Sequence, residues 1–331
     1  MAATIVAARI RRSWFQRLSV IDLFLWGFRA AVLAAVVVGT FATLRSGRYA
    51  GEVWLDFLIF GISQGSVYAL IALGYTMVYG ILRMINFAHG DIFMCGAYTA
   101  FYAATALHRA GLFNRYPPLS LAVILVVAMA TAVSVALLVE RVAYRPLRRA
   151  PRLVPLISAI GASFFIEYAV RGLYGSGFQA YPEFEVFKGK WNVLGVGILR
   201  TQAVVIVATV MLMTMLYLFV MRTRTGTAMR AVSEDMEVAS LMGINVDRII
   251  VITFAVGAAA AGAAGVLYAL VFKQVHFFMG FYPGIKAFTA AVLGGIGNIP
   301  GAMLGGLFLG LFESVGPSSS WMGWASWPRI S

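Results

Sequence analysis

Apolar residues in this chain arrive in blocks of about twenty, and that spacing restricts the fold more than any other feature of the sequence. A helix rising about 1.5 Å per residue needs roughly twenty residues to cross about 30 Å of hydrocarbon. Such blocks fall near 23–44, 54–82, 90–107, 119–139, 153–174, 203–221, 249–272 and 285–315. The predicted fold is therefore all-α: a polytopic transmembrane helical bundle of about eight spans. A transmembrane barrel would show segments of about ten residues alternating apolar with polar, and the run from Val204 to Val220 does not alternate. Only 12% of the residues are charged, half of the roughly 25% that a water-soluble domain carries.

A net charge of +13 would suggest nucleic acid in a soluble protein, but here the basic residues lie between apolar blocks. Cytoplasmic loops of membrane proteins are enriched in Lys and Arg. With the N-terminus cytoplasmic, the inner segments hold 14 of the 26 basic residues, five of them within 141–152, and the outer segments hold nine. The bias sets the orientation and removes the need for a nucleic-acid partner. It yields a basic cytoplasmic segment at 1–22 and a membrane domain at 23–315, with a cytoplasmic loop at 222–248 and an external loop at 175–202. Residues 316–331 form an atypical, polar, Trp-rich tail with a truncated look. The single cysteine, Cys95, sits inside an apolar block and reads as a small buried hydrophobe. His89, His108 and His276 lack metal-ligand spacing, so no metal site is expected.

Four glycines and a proline crowd the eight residues from Gly294 to Gly301. Such a run does not continue an ordinary helix, and non-helical backbone at membrane depth survives only inside protein or beside a polar cavity. The last span is thus predicted to be broken, with Gly294, Gly295, Gly297 and Asn298 as candidates for a translocation path. Asn86, His89 and Asp91 place three polar groups between the second and third blocks; the plainer reading is a short turn with Asp91 capping the next helix. Gln64 and Tyr68 are weaker candidates, since isolated polar groups in spans often only join helices. Between two spans, residues 229–244 predict a short amphipathic helix stopped by Gly243, with Ala231, Val238, Leu241 and Met242 on one face. A stripe of that kind has something to bind. The chain has no phosphate-binding loop, no nucleophile elbow and no acid/base pair, so no catalytic residue is assigned.

Three blocks, Gly61–Asp91, Met229–Gly265 and Gly284–Gly310, together resemble the LivH-type permease subunits of high-affinity branched-chain amino acid ABC importers. They carry Asn-Phe-Ala-His-Gly-Asp at 86–91 and Lys-Ala-Phe-Thr-Ala-Ala-Val-Leu-Gly-Gly at 286–295, in the family's order. The resemblance implies a bacterial inner-membrane importer in which a second homologous permease shares the translocation path. It also implies two cytoplasmic ATP-binding subunits, which use ATP and Mg while this chain binds no cofactor, and a periplasmic or lipid-anchored substrate-binding protein. It makes 230–244 a coupling helix, with Arg230, Glu234, Asp235, Glu237, Ala239, Gly243 and Ile244 at the ATPase contact; Glu237, Ala239 and Gly243 match the family's E-A-A…G pattern. The first fifty residues are longer than the family pattern, and the ending from Gly316 departs from it. A self-sufficient secondary transporter or channel is the alternative, and it would need acidic residues inside spans, where only Glu167 clearly lies. Related permeases carry urea or short amides. A membrane-bound enzyme ranks last.

Overall fold

The computed structural model describes residues 51–316, apart from 149, 152, 194 and 195, with isolated positions between 27 and 45. The expected basic segment at 1–22, nearly all of the expected span at 23–44 and the tail at 317–331 lie outside the described residues. The chain divides into two units, and residues 55–314 form the one in which nearly all described residues fall. In the other, Gly51–Trp54 open a helix and Val315 closes one.

Seven of the expected apolar blocks are helical. They are α1 (Gly51–Leu82), α2 (His89–Arg109), α3 (Pro117–Val139), α4 (Leu153–Tyr174), α5 (Arg200–Arg222), α8 (Val246–Phe272) and a broken pair, α9 (Phe281–Leu293) with α10 (Ile299–Val315). Between α5 and α8 stand two short helices, α6 (Arg224–Glu234) and α7 (Met236–Leu241). Helices α3, α4 and α5 carry Leu, Val, Phe and Met on their outer faces, for example Phe165 at 71% exposure and Met215 at 62%. Such surfaces are stable against hydrocarbon and not against water. Five helices, α1, α3 with its extension to Leu147, α4, α5 and α8, are long and apolar enough to cross a membrane on their own composition.

Helix α2 is not one of those five, because its Gly, Thr and Tyr residues with His89 and Asp91 make it less apolar, which its position permits. It packs on α3, α8, α9 and α4, and Ile92, Phe93, Met94, Ala97, Tyr98 and Ala100 are fully buried. A helix walled in by protein has no need of a lipid-compatible surface, so small and aromatic residues replace Leu and Val. Backbones approach closely at its centre. A Cβ on Gly96 would stand 2.8 Å from Gly262 Cα and 3.2 Å from the Ala128 carbonyl oxygen, so α2, α3 and α8 cross at their glycine and alanine positions.

Side-chain and backbone links sort the connections onto two ends of the bundle. At one end Arg83 donates to the Glu234 carbonyl at 3.4 Å, Arg148 pairs with both Glu140 and Asp247, and the Tyr144 hydroxyl donates to Asn86 Oδ1 at 3.1 Å. This end therefore gathers 82–88, 140–152 and 222–248. At the other end Phe113 stacks on Phe184 with centroids 3.8 Å apart, and Asn114 Oδ1 accepts from the Glu185 amide at 3.1 Å. There a two-residue strand β1 (Gln179–Ala180) pairs antiparallel with β4 (Gln274–Val275), and Lys273 bonds Glu183 at 2.9 Å. The loop at 175–202 is thus a folded cap, with its own hairpin of β2 (Lys190–Val193) and β3 (Val196–Leu199).

Candidate functional site

The polar residues singled out in the sequence separate into three places. Gln64 and Tyr68 lie one turn apart on α1, where Gln64 Nε2 donates to the Tyr68 hydroxyl at 2.6 Å. Lys286 of α9 reaches the same hydroxyl at 3.4 Å and pairs with Glu313 of α10 at 2.5 Å. The two halves of the broken span are therefore tied together by an ion pair at the level of Tyr68. Sequence reasoning missed this pair because its members lie 27 residues apart on either side of the break.

Asn86, His89 and Asp91 do not form a surface turn. The N-cap of α2 is Ala88, without a side-chain cap, so the expected capping role of Asp91 is corrected: it is the third residue of the helix and only 4% exposed. The segment after α1 folds back alongside it, bringing the His89 ring against Gly74 and the Tyr75 ring, whose centroid is 4.7 Å away. Gly96 marks the level of Ala128, the middle of α3, and Asp91 precedes it by five residues, about 7 Å along the helix. That is well inside the roughly 15 Å half-thickness of hydrocarbon. Burial on this scale needs protein on every side, which α1, α4 and α9 supply.

Beside Asp91 is a cavity of about 220 Å³. The Ser163 hydroxyl of α4 donates to Asp91 Oδ2, and Glu167, one turn further along the same face of α4, also lines the space. Aromatic residues, Tyr75, Phe87, Phe164, Phe281 and Phe288, form much of the remaining wall. Gly90 and Gly284 make room: a Cβ on Gly90 would lie 2.6 Å from the Gly280 carbonyl oxygen. Ser163 escaped the sequence reading, although its spacing of four from the in-span Glu167 puts both on one helix face. Among the described residues no group of three or more His, Cys, Asp or Glu is arranged to hold a metal ion.

The third place is the glycine-rich break. Gly295 and Gly297 adopt φ of +88° and +90°, which L side chains rarely tolerate, so the chain reverses there between α9 and α10. Asn298 Oδ1 accepts from the Gly301 amide at 3.2 Å and satisfies a donor at the start of α10. Gly294 meets Gly301 so closely that neither has space for a Cβ. Gly297 and Ile299 then share a small cavity with Met229, Arg230 and Ser233 of α6 and Thr76 and Gly80 of α1. The break therefore abuts the segment between α5 and α8.

That segment differs from the single helix expected at 229–244. Asp235 has extended backbone and ends α6, while its Oδ1 accepts from the Glu237 and Val238 amides at 2.8 and 3.0 Å to cap α7. An Asp followed by two free amides starts a helix as readily as it interrupts one. Gly243 at φ +84° stops α7, and the Ile244 amide closes onto the Ala239 carbonyl at 3.0 Å. Met229, Val232 and Ala239 pack inward, whereas Val238, Leu241 and Met242 point outward, Leu241 at 86% exposure. Arg230, Glu234 and Glu237 surround this tip as exposed charges.

A lipid-embedded helical bundle with a polar cavity at membrane depth, a broken span and a projecting interhelical knob defines a membrane permease domain. The chain belongs to the family described as branched-chain amino acid transport system / permease component, whose model matches residues 57–328. It is 47% identical over 260 residues to the high-affinity branched-chain amino acid transport system permease protein LivH of Escherichia coli strain K12, covering 77% of this chain and 83% of that protein. It is 48% identical over 266 residues to the corresponding permease protein BraD of Pseudomonas aeruginosa, covering 80% and 86%. A probable LivH of Methanocaldococcus jannaschii is 29% identical over 258 residues, 77% of this chain and 78% of that protein.

Proposed function

We propose that this chain is a membrane-spanning permease subunit of an ATP-driven importer for branched-chain amino acids in the bacterial plasma membrane. The observation that carries the reading is the knob formed by α6 and α7: capped at both ends, seated against the broken span, and presenting Leu241 and Met242 to the exterior of the chain. Two cytoplasmic ATP-binding subunits would grip that tip and spend ATP with Mg; their closure would reach the Gly297 turn through Met229 and Ser233 as a rigid-body movement. The basic residues of 141–152 and 222–248 support a cytoplasmic position for the end that bears them and, with the expected span at 23–44, for the N-terminus. The capped opposite end, with its folded 175–202 loop, would receive a periplasmic or lipid-anchored binding protein.

A second permease subunit is supported by the cavity mouth. Ile160, Phe164, Phe281 and Ile285 are exposed around it, yet Asp91 and Glu167 lie just behind. Carboxyl groups opening onto acyl chains are costly, so the mouth calls for a protein cover rather than lipid. The same two acids favour one other reading, an ion-coupled carrier. Reconstituted uptake separates them: labelled leucine should accumulate only with ATP and the ATP-binding subunits present, whereas accumulation on an ion gradient alone would overturn the importer reading. Gly243→Pro or Glu237→Arg should weaken co-purification of the ATP-binding subunits while membrane insertion stays intact.

A further inference from the structure

We propose that the cavity between α2, α4 and α9 is the subsite for the ammonium group of the transported solute, with Glu167 and Asp91 as its anionic wall. The inference rests on the importer reading and deepens it. Glu167 is 4% exposed and faces the cavity, and among the described residues its carboxyl group makes no hydrogen bond or ion pair. Asp91 is equally buried and receives one hydroxyl, that of Ser163. Among the described residues no Lys, Arg or His lines the space.

Ionisable groups at membrane depth pair with a counter-charge or serve a transported one. Here the described residues lining the cavity contribute two acids and no base, so the missing partner is a cation that comes and goes. The remaining wall selects its kind. Tyr75, Phe87 and Phe288 line the cavity, and aromatic rings suit both an organic ammonium and an aliphatic body beside it. The volume of about 220 Å³ lies below the roughly 300 Å³ at which pockets for drug-sized ligands begin, which limits the occupant to a small solute. The carboxylate of an amino acid would be repelled by the acidic wall and would point toward the mouth.

The test uses the assembled importer in proteoliposomes. Wild-type complex is treated with a membrane-permeant carbodiimide, which modifies carboxyl groups in apolar surroundings, and modification at Glu167 is followed by mass spectrometry. Leucine at twice its dissociation constant should slow modification about threefold, the factor expected for simple occupancy. The deaminated analogue 4-methylpentanoate, which keeps the aliphatic body, should not. Equal protection by both compounds, or by neither, overturns the assignment.

Independently, Glu167→Gln should lower leucine uptake at least about tenfold, as loss of a charge-assisted contact implies, while Glu167→Asp should restore most of it. Uptake by Glu167→Gln at the wild-type rate would overturn the proposal. Co-purification of the ATP-binding subunits reports whether that variant assembles; if it does not, the protection experiment on wild type decides alone. Failure of the wild-type complex to take up leucine with ATP would instead refute the importer reading, and carbodiimide protection would still report on the cavity.

Discussion

Gly306 of α10 sits where a Cβ would fall 2.4 Å from the Ala69 backbone, and Gly65 meets the Leu307 carbonyl oxygen at 2.9 Å in the same sense. These are backbone neighbours that cannot rotate away. Gly306→Leu should therefore destabilise the protein by at least about 1–3 kcal/mol, the usual range for overpacking, seen as a lower thermal midpoint in detergent. Gly172→Ala, at an open helical site with nothing within 4 Å, should leave that midpoint unchanged or slightly raised. Asp235→Ala removes the cap of α7, at a cost of about 0.5–2 kcal/mol, and should lower ATP-driven uptake more than it lowers expression. Gly61 and Gly65, and Gly297, Gly301 and Gly305, stand four apart in the sequence, a spacing that fits close helix packing. The depth of Asp91 was not legible there, because it depends on Ser163, 72 residues away, and on a fold-back after α1 that no local pattern records.

Among the elements, those that face lipid were the easiest to read. Helices α3 and α5 are near-continuous apolar runs, since hydrocarbon on one side and protein on the other both reject charge. Helix α2 was placed correctly but for a weaker reason: its interior position relaxes the demand for apolar surface and leaves Gly, Ala and Tyr. The broken span was legible because positive φ at Gly295 and Gly297 demands glycine, and the sequence supplies it beside Pro300. The division of the 229–244 segment at Asp235 was not, because an amphipathic stripe continues across a capped break. At this scale the exposed tip makes its own prediction. Leu241→Ser with Met242→Ser touches little within the chain, so stability should change by no more than about 0.5 kcal/mol per site. Binding of the ATP-binding subunits, measured by co-purification, should fall sharply.

Across the whole of residues 55–314, the two ends of the bundle have different characters. One bears the knob and the segments that carry Arg83, Arg141, Arg145, Arg148, Arg222, Arg224, Arg230 and Arg248; the other is closed by aromatic stacking and short strands. Between them lie a cavity with two acids and a broken helix whose turn rests against the knob. On the proposed importer reading, driving force enters at one end and is delivered to the middle, and among the described residues this arrangement offers a short route. Everything then turns on which side of the membrane the tip occupies. The most direct measurement is labelling of Leu241→Cys in a Cys95→Ser background with a membrane-impermeant maleimide, since Cys95 is the chain's one cysteine and is buried. Labelling in inverted vesicles and protection in intact spheroplasts is the expected result. Labelling from the outer face of intact spheroplasts would contradict the account.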